Sequence, residues 1–133
     1  MIENHVIRLE LADNLKNLGV NKNSLFIWQY DNKNEKWDCW LHDSGEKEDD
    51  DIAAYTASEI LEMLPDEVKF PSYEEYNNFR LEITKIEDDS YDVRYFNTIH
   101  GIAVMISGHL LNILPHMLIY LIENNLIDMD KIK

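Results

Sequence analysis

Residues 95–122 read YFNTIHGIAVMISGHLLNILPHMLIYLI: 28 positions without an Asp, Glu, Lys or Arg, in a chain whose charged fraction is 29%. Such a stretch is a membrane span, a deeply buried element, or a surface that something else covers. Its length would suit a span, since about 20 apolar residues cross about 30 Å of hydrocarbon. Its contents argue against one, because Ser107, Gly108, His109, Asn112, Pro115 and His116 fall inside the window and no basic cluster flanks either end. The segment divides instead at Ser107 and Gly108, into a short apolar run over 102–106 that suits a strand and a helix after it.

Placed on that helix at 100° per residue, His109, Asn112, His116, Tyr120 and Glu123 fall within an arc of about 80°. Almost every other position from 110 to 122 is a large apolar residue. A surface helix buries an arc of about 100°, so this C-terminal helix is expected to be largely buried, either by the chain's own helices or by another molecule. Pro115 cannot donate to the carbonyl four residues back. Either Asn112 is the N-cap, which puts Pro115 in the first turn where no donor is needed, or a longer kinked helix begins near Gly108; the second is the expectation.

Upstream, residues 78–86 and 91–96 flank Glu-Asp-Asp-Ser, with Phe79, Leu81, Ile83 and then Tyr91, Val93, Tyr95 at alternating positions, the pattern of a β-hairpin. An earlier hairpin is expected from residues 25–30 (LFIWQY) and 36–41 (KWDCWL) around the polar cluster DNKNE. Its first arm is apolar on both faces and should lie inside the sheet, while Trp37, Cys39 and Leu41 should face the core and Trp40 solvent. Thr56 followed by Glu59 forms a capping box, Ile60, Leu61, Met63 and Leu64 give the next helix an apolar face, and Pro65 stops it. Leu11, Leu15 and Leu18, with Gly19 following, mark a short N-terminal amphipathic helix. Strand, strand, helix thus occurs twice, without a residue-level repeat.

The expected fold is α+β: a mostly antiparallel sheet of four to five strands carrying two to three helices, in a single domain over residues 1–133. That length buries enough surface to stand without metal or disulfide staples. With 26 acidic against 12 basic residues the net charge is -14, which disfavours nucleic acid and anionic lipid and favours a protein partner with a basic surface. The lone Cys39 forms no internal disulfide, and the N-terminus lacks a signal-peptide pattern, so a cytoplasmic location is expected.

Chemistry-bearing motifs are sparse. His109 and His116 lie about 10.5 Å apart along a helix, too far to share a metal readily, whereas zinc-binding helices use i, i+4 spacing. Cys39 and His42 form a lone Cys-x-x-His half-site with no second pair. Four glycines leave little from which to build a phosphate loop. The run Glu46, Lys47, Glu48, Asp49, Asp50, Asp51 lacks the alternation and central glycine of a calcium loop and is expected to be a solvated acidic loop. No cofactor or metal is expected.

Residues 11–20 (LADNLKNLGV), 24–28 (SLFIW), 37–43 (WDCWLHD), 54–65 (AYTASEILEMLP) and 117–127 (MLIYLIENNLI) together resemble a family of small phage- and prophage-encoded bacterial proteins with no assigned function. The chain departs from that pattern at Pro115, at His116 and in its longer acidic loop. The resemblance implies a bacterial cytoplasm and a mobile-element context, and it supplies no catalytic residues.

The functional expectation is a non-enzymatic acidic binding protein that acts on a host or phage protein through Trp40, Glu46, Glu48, Asp49, Asp50 and Asp51. Inhibition of a host defence system by charge mimicry is its sharpest form. One alternative is a small metal-dependent or hydrolytic enzyme that uses the His109, His116, Tyr120 and Glu123 stripe. The other is a structural homo-oligomer joined through the C-terminal helix.

Overall fold

A computed structural model describes residues 1–42 and 50–132. Among the described residues the architecture is α+β, with three α-helices and two antiparallel sheets. The strands expected in one sheet are shared between two. The first sheet has the order β2-β1-β3, from β1 (Phe26–Asp31), β2 (Lys36–Leu41) and β3 (Ile52–Ala53). The second has the order β4-β5-β6-β7, from β4 (Glu67–Lys69), β5 (Asn78–Glu87), β6 (Ser90–Asn97) and β7 (Gly101–Gly108). Helices α1 (Leu9–Asn17), α2 (Ala57–Met63) and α3 (Leu110–Glu123) supply the remaining apolar faces. Short 3-10 turns at Ile2–His5 and Met129–Lys131 stand near the two ends.

Both hairpins form with the expected strands. In the first, Trp28 faces Cys39 and Tyr30 faces Trp37, and β1 is the central strand of its sheet, as its doubly apolar pattern implies. In the second, Leu81 faces Tyr95 and Ile83 faces Val93, with Asp89 at φ 59° in the turn. The very short β3 and β4 had no periodic signal, because two or three residues cannot show one.

The helix caps follow the sequence closely. Glu59 N–H donates to the Thr56 hydroxyl (3.2 Å) and Thr56 N–H to the Glu59 carboxylate (2.8 Å), completing the capping box of α2. α1 ends with Val20 N–H on the Leu15 carbonyl and Gly19 N–H on that of Lys16, with Gly19 at φ 96°. A glycine adopts that left-handed turn without steric cost. α3 ends in the same way, with Asn125 at φ 56° and Leu126 N–H on the Leu121 carbonyl.

The C-terminal helix takes the longer form. His109 is its N-cap, Asn112 lies within the first turn, and Pro115 is inside the helix and buried. The Leu111 carbonyl therefore lacks the donor that any other residue at 115 would supply. Gly108, at φ 144°, makes the break between β7 and α3; a Cβ there would sit 3.3 Å from Ile113.

α3 packs on β6 and β7, on α2 and on α1, while α1 packs in turn against β3. Ile113, Leu114, Met117, Leu118, Ile119 and Leu121 are all buried. The chain's own elements thus cover most of the apolar circumference of the helix, with Leu110, Leu111 and Ile122 half-buried. Buried residues from both sheets and all three helices form one continuous core. Among the described residues no helix is long and apolar enough to cross a membrane.

Three side chains depart from the expected orientation. Leu41 is exposed, because β2 is an edge strand and the core side of its sheet closes at Cys39. Leu61 and Ile83 are likewise open to solvent.

Candidate functional site

The first hairpin rises beyond β3, which pairs with β1 only at Ile27 and Trp28. Because β3 is two residues long, no strand among the described residues pairs with the distal half of β1 on that side, and a groove opens there. Its cavity of about 520 Å³ is the larger of the two described at this end and is lined by Asp13 and Lys16 of α1, Tyr30 of β1, Trp37 of β2, and Asp50 and Asp51. The Tyr30 and Trp37 rings are cross-strand partners, with centroids 5.5 Å apart and planes tilted by 59°.

Three carboxylates and two aromatic rings therefore face one space, against a single ammonium group. Asp13 is on the exposed face of α1, and Asp50 is exposed. Asp51 is not in a solvated loop as expected: it is 4% exposed. It immediately precedes β3, so pairing of Ile52 with Trp28 draws it into the sheet. The Gln29 amide donates to its carboxylate at 3.3 Å, and Lys16 Nζ donates to its backbone carbonyl at 3.2 Å. Burial without such donors would cost an ionised carboxylate several kcal/mol.

Trp40 is 55% exposed, as its phase in β2 predicts. It lines a second depression of 300 Å³ with Asp31, Lys33 and Asp38, which shares Gln29, Tyr30 and Asn32 with the groove. The side-chain amide of Asn34 donates to Asp31 at 2.7 Å, and that bond, with further donors from the turn backbone, holds the Asp31 carboxyl below the usual carboxylate range. Asp31 is thus ionised over the physiological range.

Of the expected binding residues, the structure brings Trp40, Asp50 and Asp51 to this end of the molecule. Glu46, Glu48 and Asp49 lie outside the described residues. Asp13, Asp31 and Asp38 were missed by sequence reasoning. Asp31 and Asp38 carried a local signal, as polar positions in an aromatic hairpin, but Asp13 is brought in only by the packing of α1 against β3.

The polar stripe of α3 has a different geometry. His109, Asn112, His116 and Glu123 are exposed and Tyr120 is half-buried. The His116 ring donates from Nδ1 to the Asn112 carbonyl at 2.6 Å. His109 and Asn112 line a 450 Å³ depression with Glu3, Asn4 and Arg8, which His116, Tyr120 and Glu123 do not reach. Of the four groups of the alternative site, that depression takes in His109 alone.

Cys39 is buried, and burial, aided by the charge of Glu3, pushes its thiol up to about 11. A thiol so protonated is a poor nucleophile and metal ligand at neutral pH. Among the described residues no group of three His, Cys, Asp or Glu side chains is placed to hold a metal ion. No family model, no curated protein and no solved structure matches this chain.

Proposed function

We propose that this chain is a non-enzymatic binding protein that takes a basic segment of a partner protein into the groove between α1 and the first hairpin. The observation that carries the proposal is the convergence of Asp13, Asp50 and Asp51 with the Tyr30 and Trp37 rings on one 520 Å³ space. An arginine or lysine side chain there meets carboxylates along its edge and an aromatic face beside it, the two environments that stabilise a desolvated cation. The net charge of -14 adds long-range attraction that raises the rate of encounter with a basic partner. In the mobile-element setting suggested by the family resemblance, in a bacterial cytoplasm, the partner is a host or phage protein that itself binds nucleic acid. Inhibition of a defence nuclease by charge mimicry is the most specific form of this reading.

Titration with an arginine-rich peptide, followed by tryptophan fluorescence, tests it. Binding is expected to weaken steeply with salt and to fall roughly tenfold or more in Tyr30→Ala or in Asp13→Asn with Asp50→Asn. Neutralising Glu74 and Glu75, which lie outside the groove, is expected to have little effect. Equal losses from both pairs of acids would reduce the interaction to bulk charge and overturn the site. Failure of a low-salt pull-down from host lysate to recover any basic or nucleic-acid-binding protein would overturn the function.

A further inference from the structure

Each sheet has two edges, and β7 differs from the other three. β3 is two residues long; β4 is three, with Glu67 and Lys69 exposed. β2 carries Lys36 and Asp38, and the N-terminal 3-10 turn packs beside it. Short length, charge and cover are the devices by which sheets protect an edge from pairing. β7 is longer and uncharged: its eight residues, GIAVMISG, contain no charge and no proline, and its one irregularity is a register shift against β6 between Tyr95 and Phe96. Ile102 and Met105 are more than 40% exposed on it, and no backbone hydrogen bond runs outward from residues 101–108 to any described residue.

We infer that β7 is a docking edge for a second copy of this chain, strand against antiparallel strand across a twofold axis, joining two four-stranded sheets into one. The copy, rather than a foreign peptide, is favoured by charge. A partner selected by the acidic surface is basic and gains nothing from an uncharged edge, whereas a second copy is repelled everywhere except at an uncharged edge. The geometry is also self-complementary. β7 pairs regularly with β6 from Val104 opposite Tyr95 to Gly108 opposite Tyr91, and the register shifts only beyond Tyr95. Antiparallel partners share a face, so a twofold axis falls on a residue. At the centre of the regular run that residue is Ile106, which then meets its own copy, while Met105 meets Ser107 of the second copy. Every cross-strand pair so formed is uncharged.

The pairing is separable from the groove by its salt dependence. Two chains of charge -14 repel each other, and screening relieves that repulsion, the Debye length being about 8 Å at 0.15 M. Copy-to-copy association therefore strengthens with salt, whereas binding of a basic segment weakens.

Sedimentation across a concentration series, at low and high salt, is the test. The mass is expected to rise from monomer towards dimer with concentration, and to do so sooner at high salt. Met105→Lys combined with Ser107→Lys sets ammonium groups against each other and is expected to weaken association roughly tenfold or more; because Ser107 donates to Asp92 and Met105 lies opposite Arg94 within the monomer, monomer unfolding is measured alongside and association is compared at temperatures where the variant is folded. Amide hydrogen exchange gives a readout that needs no variant: β7 amides pointing away from β6 are expected to gain protection as concentration rises. A chain that stays monomeric at every salt and concentration overturns the inference. So does a dimer that survives the double substitution, or one that forms without protecting β7.

Discussion

α3 and β7 are cut from one uncharged stretch of chain and end in different surroundings. The helix satisfies its own backbone and needs only side-chain cover, which α1, α2, β6 and β7 supply. The strand needs a neighbour on each side for its N–H and C=O groups, and among the described residues β6 is the one strand paired with it. Absence of charge is compatible with both outcomes. It marks where water or like charge is to be avoided, and does not say whether the same chain or another performs the covering.

The contrast is broken most directly by truncation. Leu118, fully buried in α3, is expected to cost about 2–5 kcal/mol on replacement by alanine, because the packed surroundings cannot collapse into the space. Met105→Ala on β7 is expected to stay within about 0.5 kcal/mol for the monomer. Denaturant unfolding measures both, and similar costs would show that β7 is covered in the monomer after all.

The cover itself comes next. α2 packs on α3, and its first turn is fastened by Glu59, whose carboxylate accepts from Thr56 N–H, from Leu25 N–H at 3.0 Å and from the Ser24 hydroxyl at 2.8 Å. Thr56→Ala is expected to cost about 1 kcal/mol, a typical cap loss. Glu59→Ala is expected to cost more, because it also releases the segment that leads into β1. Unfolding midpoints that rank the two in the reverse order would place the fastening elsewhere.

The smallest effect at neutral pH is electrostatic. Burial raises the hydroxyls of Tyr55 and Tyr95 above their ordinary 10.0, with nearby Glu59 and Asp66 adding to it, and raises Cys39 from 9.0 to about 11. The fold favours the protonated form of all three, so the unfolded chain releases those protons first. Their contribution is complete below pH 9 and is lost as pH rises through the raised values. Stability measured at pH 7 and pH 8 should agree, and should fall progressively above about pH 9. Tyr95 lies in β6, the strand between β5 and β7, so Tyr95→Phe should blunt that fall while removing the bond to the Pro65 carbonyl.

Much of the fold was legible because its signals are local. Leu11, Leu15 and Gly19 describe α1 within a few turns of chain, Thr56 and Glu59 announce α2, and the alternation of Phe79, Leu81, Val93 and Tyr95 sets the second hairpin in register. The site was only partly legible. Trp40 declared its exposure through its phase in β2, whereas Asp51 looked like one more acid in a solvated run and is buried by the two-residue strand that follows it. Asp13 joins it only because α1 packs on β3.

The sequence by itself determined the α+β class, the helix caps, both hairpins and the need to cover α3, since each depends on residues within a few positions of one another. Tertiary structure alone decided that the strands divide into two sheets, that α3 is covered from within, that carboxylates from three segments meet at the hairpin, and that β7 stands at an edge. Those outcomes depend on which distant segments pack together, and no local period or spacing records that choice.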